Sequence, residues 1–206
     1  MINLSNLAEL SKDCKLCPLA EQGRTQVVFG DGNPDADIMF VGEGPGFYED
    51  RQGKPFVGAA GKLLTQLLES IGLTREDVYI TNVVKCRPPQ NRDPKPEEIE
   101  ICTNEYLFTQ IKEIKPKIIA TLGRFASAVI LERKDVSMGR VHGQKFKKDD
   151  YLVVPIYHPA AALHSRTNLG PLSEDFNKLR EYLGEKTEVS QGSREPEVEI
   201  EQMGLF

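Results

Sequence analysis

Polar residues that could do chemistry follow or end three apolar stretches of the sequence. The run 38–41 leads into the glycine-rich turn "GEGPG", which carries Glu43. Asn82 lies in the β-branched stretch "VYITNVV", and His158 follows "YLVVPIY". Ligands of open α/β sheets bind at the carboxyl ends of the strands, so these three positions predict a site at one edge of a sheet.

The turn "GEGPG" lacks the features of a dinucleotide-binding loop. Its pattern is G-x-G-x-G rather than G-x-G-x-x-G, and Pro45 removes a backbone N–H from the turn. Glu43, Glu49 and Asp50 add negative charge where a pyrophosphate would bind, and the predicted helix over "GAAGKLL" begins only about fifteen residues later. A plain tight turn explains the glycines equally well. An acid beside such a turn suits a neutral or cationic substrate, or a water held for attack.

The four cysteines form a second group that could do chemistry: Cys14 and Cys17 in a C-x-x-C pair, then Cys86 and Cys102. Disulfides are disfavoured in a chain expected to be cytoplasmic, and C-x-x-C followed by proline is not typical of unrelated core thiols. Four thiolates can hold zinc or an iron–sulfur cluster, and spacing alone does not separate the two. The missing second close pair modestly favours a cluster. We expect a structural role, because no flavin or nicotinamide signature accompanies the cysteines.

The apolar patterns predict strands that alternate with helices. This alternation indicates an α/β fold with a largely parallel sheet. The predicted strands are 27–29, 38–41, 78–84, 117–123 and 151–159, and the predicted helices lie before Cys14, over 63–71, from Pro96, over 125–131 and over 171–183.

Composition and charge fit one globular domain with an acidic extension. The chain has 206 residues, of which 39% are hydrophobic, and no apolar run approaches the length of a membrane span. Segment 185–206 carries −4 of the net charge of −5, so residues 1–184 carry −1 and could still bind DNA through a basic cluster. Such a run, "KCRPPQNRDPK", covers 85–95, although taken on its own it is better explained as a solvated loop. Without a secretory signal, we expect a cytoplasmic, nucleoid-associated protein.

Several motifs follow one another along roughly residues 10–183: "CKLCPL", "GEGPG" with "ED" after it, "GKPFVGAAGKLL", "TNVVKCRPPQNRDP", Cys102 and "YHPAAAL". Taken in this order, they resemble the iron–sulfur, family-four uracil-DNA glycosylases of bacteria and archaea. The resemblance implies a three-layer α/β/α sandwich around a mostly parallel four-stranded sheet. It also implies a [4Fe–4S] cluster held by the four cysteines.

The resemblance assigns catalysis to two residues. Glu43 is similar to the residue that positions the attacking water, with Gly44 beside it, and His158 is similar to the histidine that donates to uracil O2. The implied reaction is hydrolysis of the glycosidic bond of deoxyuridine to free uracil and an abasic site. No lysine is placed as a nucleophile. Many relatives have acids after "GEGPG", where this chain has Phe47 and Tyr48.

The resemblance also implies a pocket that reads the base. Phe56 resembles the aromatic that stacks on the extruded base, and Asn82 the amide that reads it, since one carboxamide can accept from N3–H and donate to O4. Glu49 resembles the pocket wall near C5, and Asn91 is a weaker pocket candidate. Taken alone, Phe56 would be a core ring and Asn82 a turn or cap residue.

The remaining predictions concern DNA and a protein partner. Leu163 lies in the loop that wedges into the duplex in related enzymes, with His164 and Arg166 as phosphate contacts. Salt-dependent binding of single- or double-stranded DNA is expected through Lys85, Arg87, Arg92, Lys95 and Arg166. The chain ends in "QMGLF", in which Gln202, Leu205 and Phe206 resemble the peptide that binds the bacterial sliding clamp. We expect a monomer with a glycosylase domain over 1–184 and an acidic tail over 185–206.

Two other classes of protein remain open on the residues alone. A non-catalytic zinc module that binds nucleic acid would use the cysteines and the basic run, but would leave Glu43, Asn82 and His158 without a role. A nucleotide-binding oxidoreductase with a redox cluster is disfavoured by Pro45.

Overall fold

The computed structural model describes residues 3–184, apart from the side chain of Arg166. Within this range the chain forms a six-stranded sheet with the order β1-β3-β2-β4-β6-β5. The strands are β1 (Asp31–Gly32), β2 (Ile38–Gly42), β3 (Tyr79–Asn82), β4 (Ile118–Leu122), β5 (Phe146–Lys148) and β6 (Tyr151–Ile156). The four central strands are parallel, whereas β1 and β5 pair antiparallel at the two edges.

The prediction of a four-stranded sheet is therefore wrong in strand number, although the parallel core has four strands. The edge strands were missed because β1 has two residues, Asp-Gly, and β5 three, Phe-Lys-Lys, too few to show an alternating pattern. The predicted strand 27–29 is also wrong, because this stretch forms no ladder; its Val28 N–H donates to the carbonyl of Lys85. The other four predicted strands are confirmed; β2 extends one residue beyond the predicted 38–41, and the other three have shorter bounds than predicted.

Helices cover both faces of the sheet, because successive strand residues point to opposite sides. On one face, Met39 and Val41 pack in a core with residues from α1 (Leu4–Ser11), α5 (Phe108–Ile114) and α6 (Arg124–Ile130). On the other, Ile38 and Phe40 pack with residues from α3, α8 and α9. The remaining bounds are α2 (Phe47–Gln52), α3 (Ala59–Ser70), α4 (Pro96–Cys102), a π-helical turn (Thr103–Leu107), α7 (Met138–Val141), α8 (Pro159–His164) and α9 (Leu169–Gly184).

The parallel register brings the candidate residues to one edge of the sheet. Gly42, the last residue of β2, pairs with Asn82, the last residue of β3, and His158 follows β6 by two residues. The N–H of Val84 donates to the carbonyl of Glu43, so the glycine-rich turn is bound to the chain that leaves β3. Among the described residues, no helix combines the length and apolar character needed to cross a bilayer.

Candidate active site

At the carboxyl ends of β2, β3 and β6, Gly42 lies against Asn82 and Phe56, Phe56 lies against His158, and Glu43 follows Gly42 in the chain. We call these five residues the pocket. A Cβ atom placed on Gly42 would lie 2.4 Å from Asn82 Oδ1 and 2.7 Å from Phe56 Cζ. The side chains of Asn82 and Phe56 therefore pack against Gly42 so closely that no larger residue fits there. The rings of Phe56 and His158 have centroids 5.6 Å apart. The structure thus brings together three predicted site residues that are far apart in sequence, Phe56, Asn82 and His158, around a glycine that adjoins Glu43.

Asn82 has a carboxamide oxygen without a protein partner. The residue is 1% exposed, and in the described part of the chain its Oδ1 is the one buried side-chain N or O atom that has no hydrogen bond. A buried unsatisfied acceptor costs about 1–3 kcal/mol, so such an atom needs an explanation. A donor on a bound ligand would satisfy it.

Phe56 is held in a strained backbone conformation. Its φ is 54°, a left-handed value that bulky residues rarely adopt and that persists only where neighbours enforce it. Arg75 donates to the carbonyls of Pro55 and Phe56 at 2.8 and 3.1 Å. On the other side, Glu49 Oε1 accepts from the N–H groups of Val57 and Gly58, both at 2.9 Å. The ring is therefore fixed before any ligand binds.

His158 is a neutral hydrogen-bond donor. It caps α8, and its Nδ1 accepts from the N–H of Ala160 at 3.1 Å. An accepting Nδ1 carries no proton, so the proton of the neutral ring is on Nε2. Most of its surroundings are protein, and this burial lowers the pKa of His158 to about 4, while the charge of Glu49 opposes the shift. The ring therefore stays uncharged at neutral pH.

Glu43 is a carboxyl group with a raised pKa. Burial, reinforced by the charge of Asp93, raises the pKa of Glu43 to about 7, and the charge of Arg124 opposes the rise. Beside it, a Cβ on Gly44 would lie 2.8 Å from Val84 Cγ2, so glycine allows the turn to approach β3 closely. A carboxyl that ionises near neutral pH suits a group that must hold or activate water.

The glycine-rich turn also opens a helix, which corrects the sequence analysis. Gly46 caps α2, which begins at Phe47 and ends at Gln52, whereas the first helix was expected about fifteen residues after the turn. The helix is only six residues long and lacks an apolar period, so pattern analysis did not detect it.

The four cysteines line one small cavity and pack in the core on the face of the sheet opposite to that of Phe56. Cys86 and Cys102 are buried, and Cys14 and Cys17 are partly exposed. Arg24 Nη1 lies 2.9 Å from Cys86 Sγ, and the backbone N–H of Lys85 lies 3.2 Å from Cys102 Sγ. Burial raises the pKa of Cys102 to about 12 and also raises those of Cys17 and Cys86.

These thiols have the donor set that cysteine-ligated clusters use. Donors such as Arg24 and the Lys85 N–H would stabilise thiolate sulfur. No group of three or more His, Cys, Asp or Glu side chains in residues 3–184 is arranged to hold a single metal ion.

Lys85 is buried, so the prediction that it contacts DNA is wrong. It is 1% exposed, and its Nζ donates to Thr81 Oγ1, Asn82 O and Gln110 Oε1 at 2.7, 2.7 and 2.6 Å. Gln110 in turn donates to the carbonyl of Phe29 at 2.9 Å. We call this set the lysine network. Burial lowers the pKa of Lys85 to about 7, but three acceptors match the three protons of the ammonium form.

The other predicted DNA residues divide into bound and exposed ones. Arg92 forms a two-pronged ion pair with the buried Glu98 at 2.6 and 2.9 Å. Arg87 Nε donates to Asn91 Oδ1 at 2.7 Å, so the Asn91 side chain orients this arginine. Leu163 is 51% exposed at the end of α8, and His164 beside it is also exposed. The Arg166 side chain and Gln202, Leu205 and Phe206 lie outside the described residues.

Sequence reasoning missed two arginines at this site. Arg75 holds the backbone around Phe56, and Arg124, exposed at the start of α6, acts on the Glu43 carboxyl. Neither lies in a motif. The one signal that could have found Arg124 was its position two residues after β4, at the carboxyl edge of the sheet.

Comparison with known proteins agrees with this geometry. The fold and the pocket define a class, the uracil DNA glycosylase superfamily, whose family model matches residues 29–184. The chain is 50% identical over 189 residues to a type-4 uracil-DNA glycosylase of Sulfurisphaera tokodaii, covering 88% of this chain and 85% of the relative. Its identity to the type-4 enzymes of Saccharolobus solfataricus and Archaeoglobus fulgidus is 48% and 47%, over 90% of this chain and 89% and 96% of theirs. The chain therefore belongs to the type-4 uracil-DNA glycosylases, which confirms the resemblance seen in its motifs.

Proposed function

We propose that the pocket binds uracil extruded from DNA and that the chain hydrolyses the bond between uracil N1 and the deoxyribose. The products are free uracil and an abasic site, the first step of base excision repair. The observation that carries this proposal is the unsatisfied Oδ1 of Asn82 beside the rings of Phe56 and His158.

The carboxamide of Asn82 selects uracil. Its Oδ1 accepts from uracil N3–H, and its Nδ2 donates to O4. Cytosine presents an acceptor at N3 and a donor at N4, so it would leave both groups of Asn82 unpaired, which costs far more than a lost methyl contact. Phe56 stacks on the base, and Glu49, anchored by Val57 and Gly58, forms the wall near C5 that leaves no space for the methyl group of thymine.

His158 and Glu43 stabilise the two charges that develop as the bond breaks. Uracil leaves as an anion, and the neutral Nε2–H of His158 donates to its O2; one such preorganised donor is typically worth about 3 kcal/mol. The sugar becomes a cation, which the Glu43 carboxylate stabilises while it holds the attacking water. Gly44, beside Glu43, has no side chain and lets the turn pack against Val84, which positions this backbone next to the base.

Cys14, Cys17, Cys86 and Cys102 would hold a [4Fe–4S] cluster. Their convergence on one cavity and the donors around it support this ligand set. The cluster would tie the N-terminal segment to the loop after β3 and has no part in the hydrolysis. Visible absorbance and iron content, both lost in a Cys102→Ser variant, would test it; zinc instead of iron would contradict it.

The DNA surface consists of Leu163 as the wedge, with phosphate contacts from Arg87, His164 and Arg166 and a weaker one from Arg92, whose charge Glu98 partly neutralises. Gln202, Leu205 and Phe206, at the end of the acidic segment 185–206, bind the groove of a bacterial sliding clamp. The enzyme acts as a monomer on chromosomal DNA in the cytoplasm.

Incubation with a uracil-containing oligonucleotide followed by alkali tests the activity. Wild type should yield strand scission at uracil and none at thymine in the same context. His158→Ala should lose most activity while remaining folded by circular dichroism. Absence of scission with folded wild type would refute the function.

A further inference from the structure

The aromatic shelf, composed of Phe47, Tyr48, Arg51 and Arg87, is an exposed surface beside the pocket. Phe47 and Tyr48 are 49% and 59% exposed, and their ring centroids lie 5.5 Å apart at 83°. The guanidinium groups of Arg87 and Arg51 lie 5.2 and 5.9 Å from the centroid of Phe47. Adjacent exposed aromatics flanked by cations are unusual on a surface that binds nothing.

The shelf is continuous with the pocket. Its rings begin α2, directly after the turn that carries Glu43, and the next residue is Glu49. A Cβ on Gly58 would lie 3.5 Å from Tyr48 Cδ2, so the tyrosine ring lies close to the chain two residues beyond Phe56. A strand that delivers uracil to the pocket must pass this surface with its neighbouring nucleotides.

The two rings have different environments. The guanidinium groups of Arg51 and Arg87 both lie over the Phe47 ring, so cation–π contacts orient two cations that can bind phosphates. Tyr48 is the more exposed ring and has no cation over it among the described residues. Base–aromatic stacking needs such a ring, and it accepts any base because every base has a π-face.

We propose that Tyr48 stacks on the unpaired base next to the extruded uracil, while Arg51 and Arg87 neutralise the adjoining phosphates. The inference rests on the proposed function, since it assumes that uracil in DNA occupies the pocket. In a duplex the neighbouring base is already paired and stacked, so the shelf favours single-stranded substrates.

The test measures binding and excision on single strands and duplexes. For binding, the probe is an oligonucleotide with 2′-fluoro-deoxyuridine, whose electron-withdrawing substituent slows glycosidic cleavage. Tyr48→Ala should weaken single-strand binding about tenfold, whereas Tyr48→Phe, which keeps the ring, should match wild type. Duplex binding should change about twofold or less. Phe108→Ala, which removes an exposed aromatic at the start of α5, is the matched control.

Stacking is isolated by removing the neighbouring base. An abasic spacer is placed on either the 5′ or the 3′ side of uracil. On one of the two sides the spacer should weaken single-strand binding by wild type about tenfold, and on that side it should not weaken binding by Tyr48→Ala any further. Unchanged binding by Tyr48→Ala, as expected if the shelf serves a protein partner, would overturn the inference. So would equal weakening by Tyr48→Phe, or a loss that persists with both spacers. Wild type that fails to excise uracil would instead refute the proposed function.

Discussion

Asn82 belongs to two buried polar regions that differ in how completely their hydrogen-bonding groups are paired. Its backbone carbonyl belongs to the lysine network, where Lys85 Nζ has three acceptors within 2.7 Å. Its side-chain oxygen belongs to the pocket, where it has no partner. Both regions are buried, so burial does not explain the difference. The network stabilises the end of β3, whereas the pocket keeps an acceptor free for a substrate. The unpaired acceptor lowers the stability of the free protein, and the same atom is thereby available to bind the substrate.

The largest expected effect comes from removing the unsatisfied group itself. Asn82→Ala should reduce kcat/KM for uracil excision by about a hundredfold or more, because uracil N3–H and O4 lose their partners. The melting temperature should not fall, since the lost oxygen has no hydrogen bond in the free protein and its burial is itself unfavourable. Steady-state kinetics and calorimetry would measure both.

Asn104→Ala, which removes an exposed amide in the π-helical turn, is the control and should match wild type. A large fall in melting temperature with little loss of kcat/KM in Asn82→Ala would show that the side chain is structural, and the contrast between pocket and network would fail.

Gly42→Ala should have the next largest effect. The added Cβ would lie 2.4 Å from Asn82 Oδ1 and 2.7 Å from Phe56 Cζ, so one of these groups must shift. Displacement of a positioned group by about 1 Å can reduce turnover about a hundredfold. Gly139→Ala is the matched control, because its added Cβ would lie 3.8 Å from Tyr157 Oη, an ordinary van der Waals contact. Full activity in Gly42→Ala would mean that the pocket is soft rather than preorganised.

Lys85→Met tests the satisfied region. The change keeps length and volume but leaves Thr81, Asn82 and Gln110 acceptors without their donor, at a cost of about 3 kcal/mol. For a chain of this size the melting temperature should fall by about 6–12 °C. Activity of the folded variant should fall less than in Asn82→Ala, because the network acts on the pocket only through the end of β3. Iron content is measured alongside.

Lys95→Met removes an exposed lysine of the same basic run and should leave the melting temperature unchanged. An equal melting temperature for Lys85→Met and wild type would show that the network does not stabilise the fold.

The burial of Lys85 could not be predicted from the sequence. Lys85 and Arg87 stand two residues apart in one basic run, yet Lys85 is buried and Arg87 reaches the surface. The acceptor that holds Lys85 in place, Gln110, lies 25 residues away on α5, and no local pattern predicts that contact. The parallel strands were predictable because their apolar runs are continuous, and the pocket was predictable because strand ends share an edge.

Phe56 could be assigned only through the family resemblance. Its left-handed backbone depends on Arg75, 19 residues further along the chain, and on Glu49, which lies before it. Long-range contacts of this kind carry no sequence period. The short edge strands and α2 were missed for the simpler reason that they contain too few residues.

The smallest and most specific effect concerns the pH dependence of Glu43. Because burial raises its pKa to about 7, kcat/KM should rise with pH through that value as the carboxylate forms and can stabilise the sugar cation. His158, with a pKa of about 4, is already neutral over this range and adds no second inflection.

The stability of the fold should change with pH in the opposite direction. A carboxyl whose pKa is higher in the folded state than in the unfolded one stabilises the fold at low pH, and this contribution is lost as pH rises from about 4.5 to 7.

Glu43→Gln, which keeps the shape and removes the ionisation, should lower kcat/KM, remove its inflection near pH 7 and remove the contribution of Glu43 to the stability slope. The measurements are kcat/KM from pH 5 to 9 and melting temperature over the same range, for wild type and variant. An inflection near pH 7 that survives in Glu43→Gln would assign it to another group and leave Glu43 to act through its backbone. If both pH effects, on kcat/KM and on melting temperature, are lost in Glu43→Gln, the ionised carboxylate is the active form and also the less stable one. Glu43 would then resemble Asn82, whose unpaired oxygen also serves the substrate at a cost in stability.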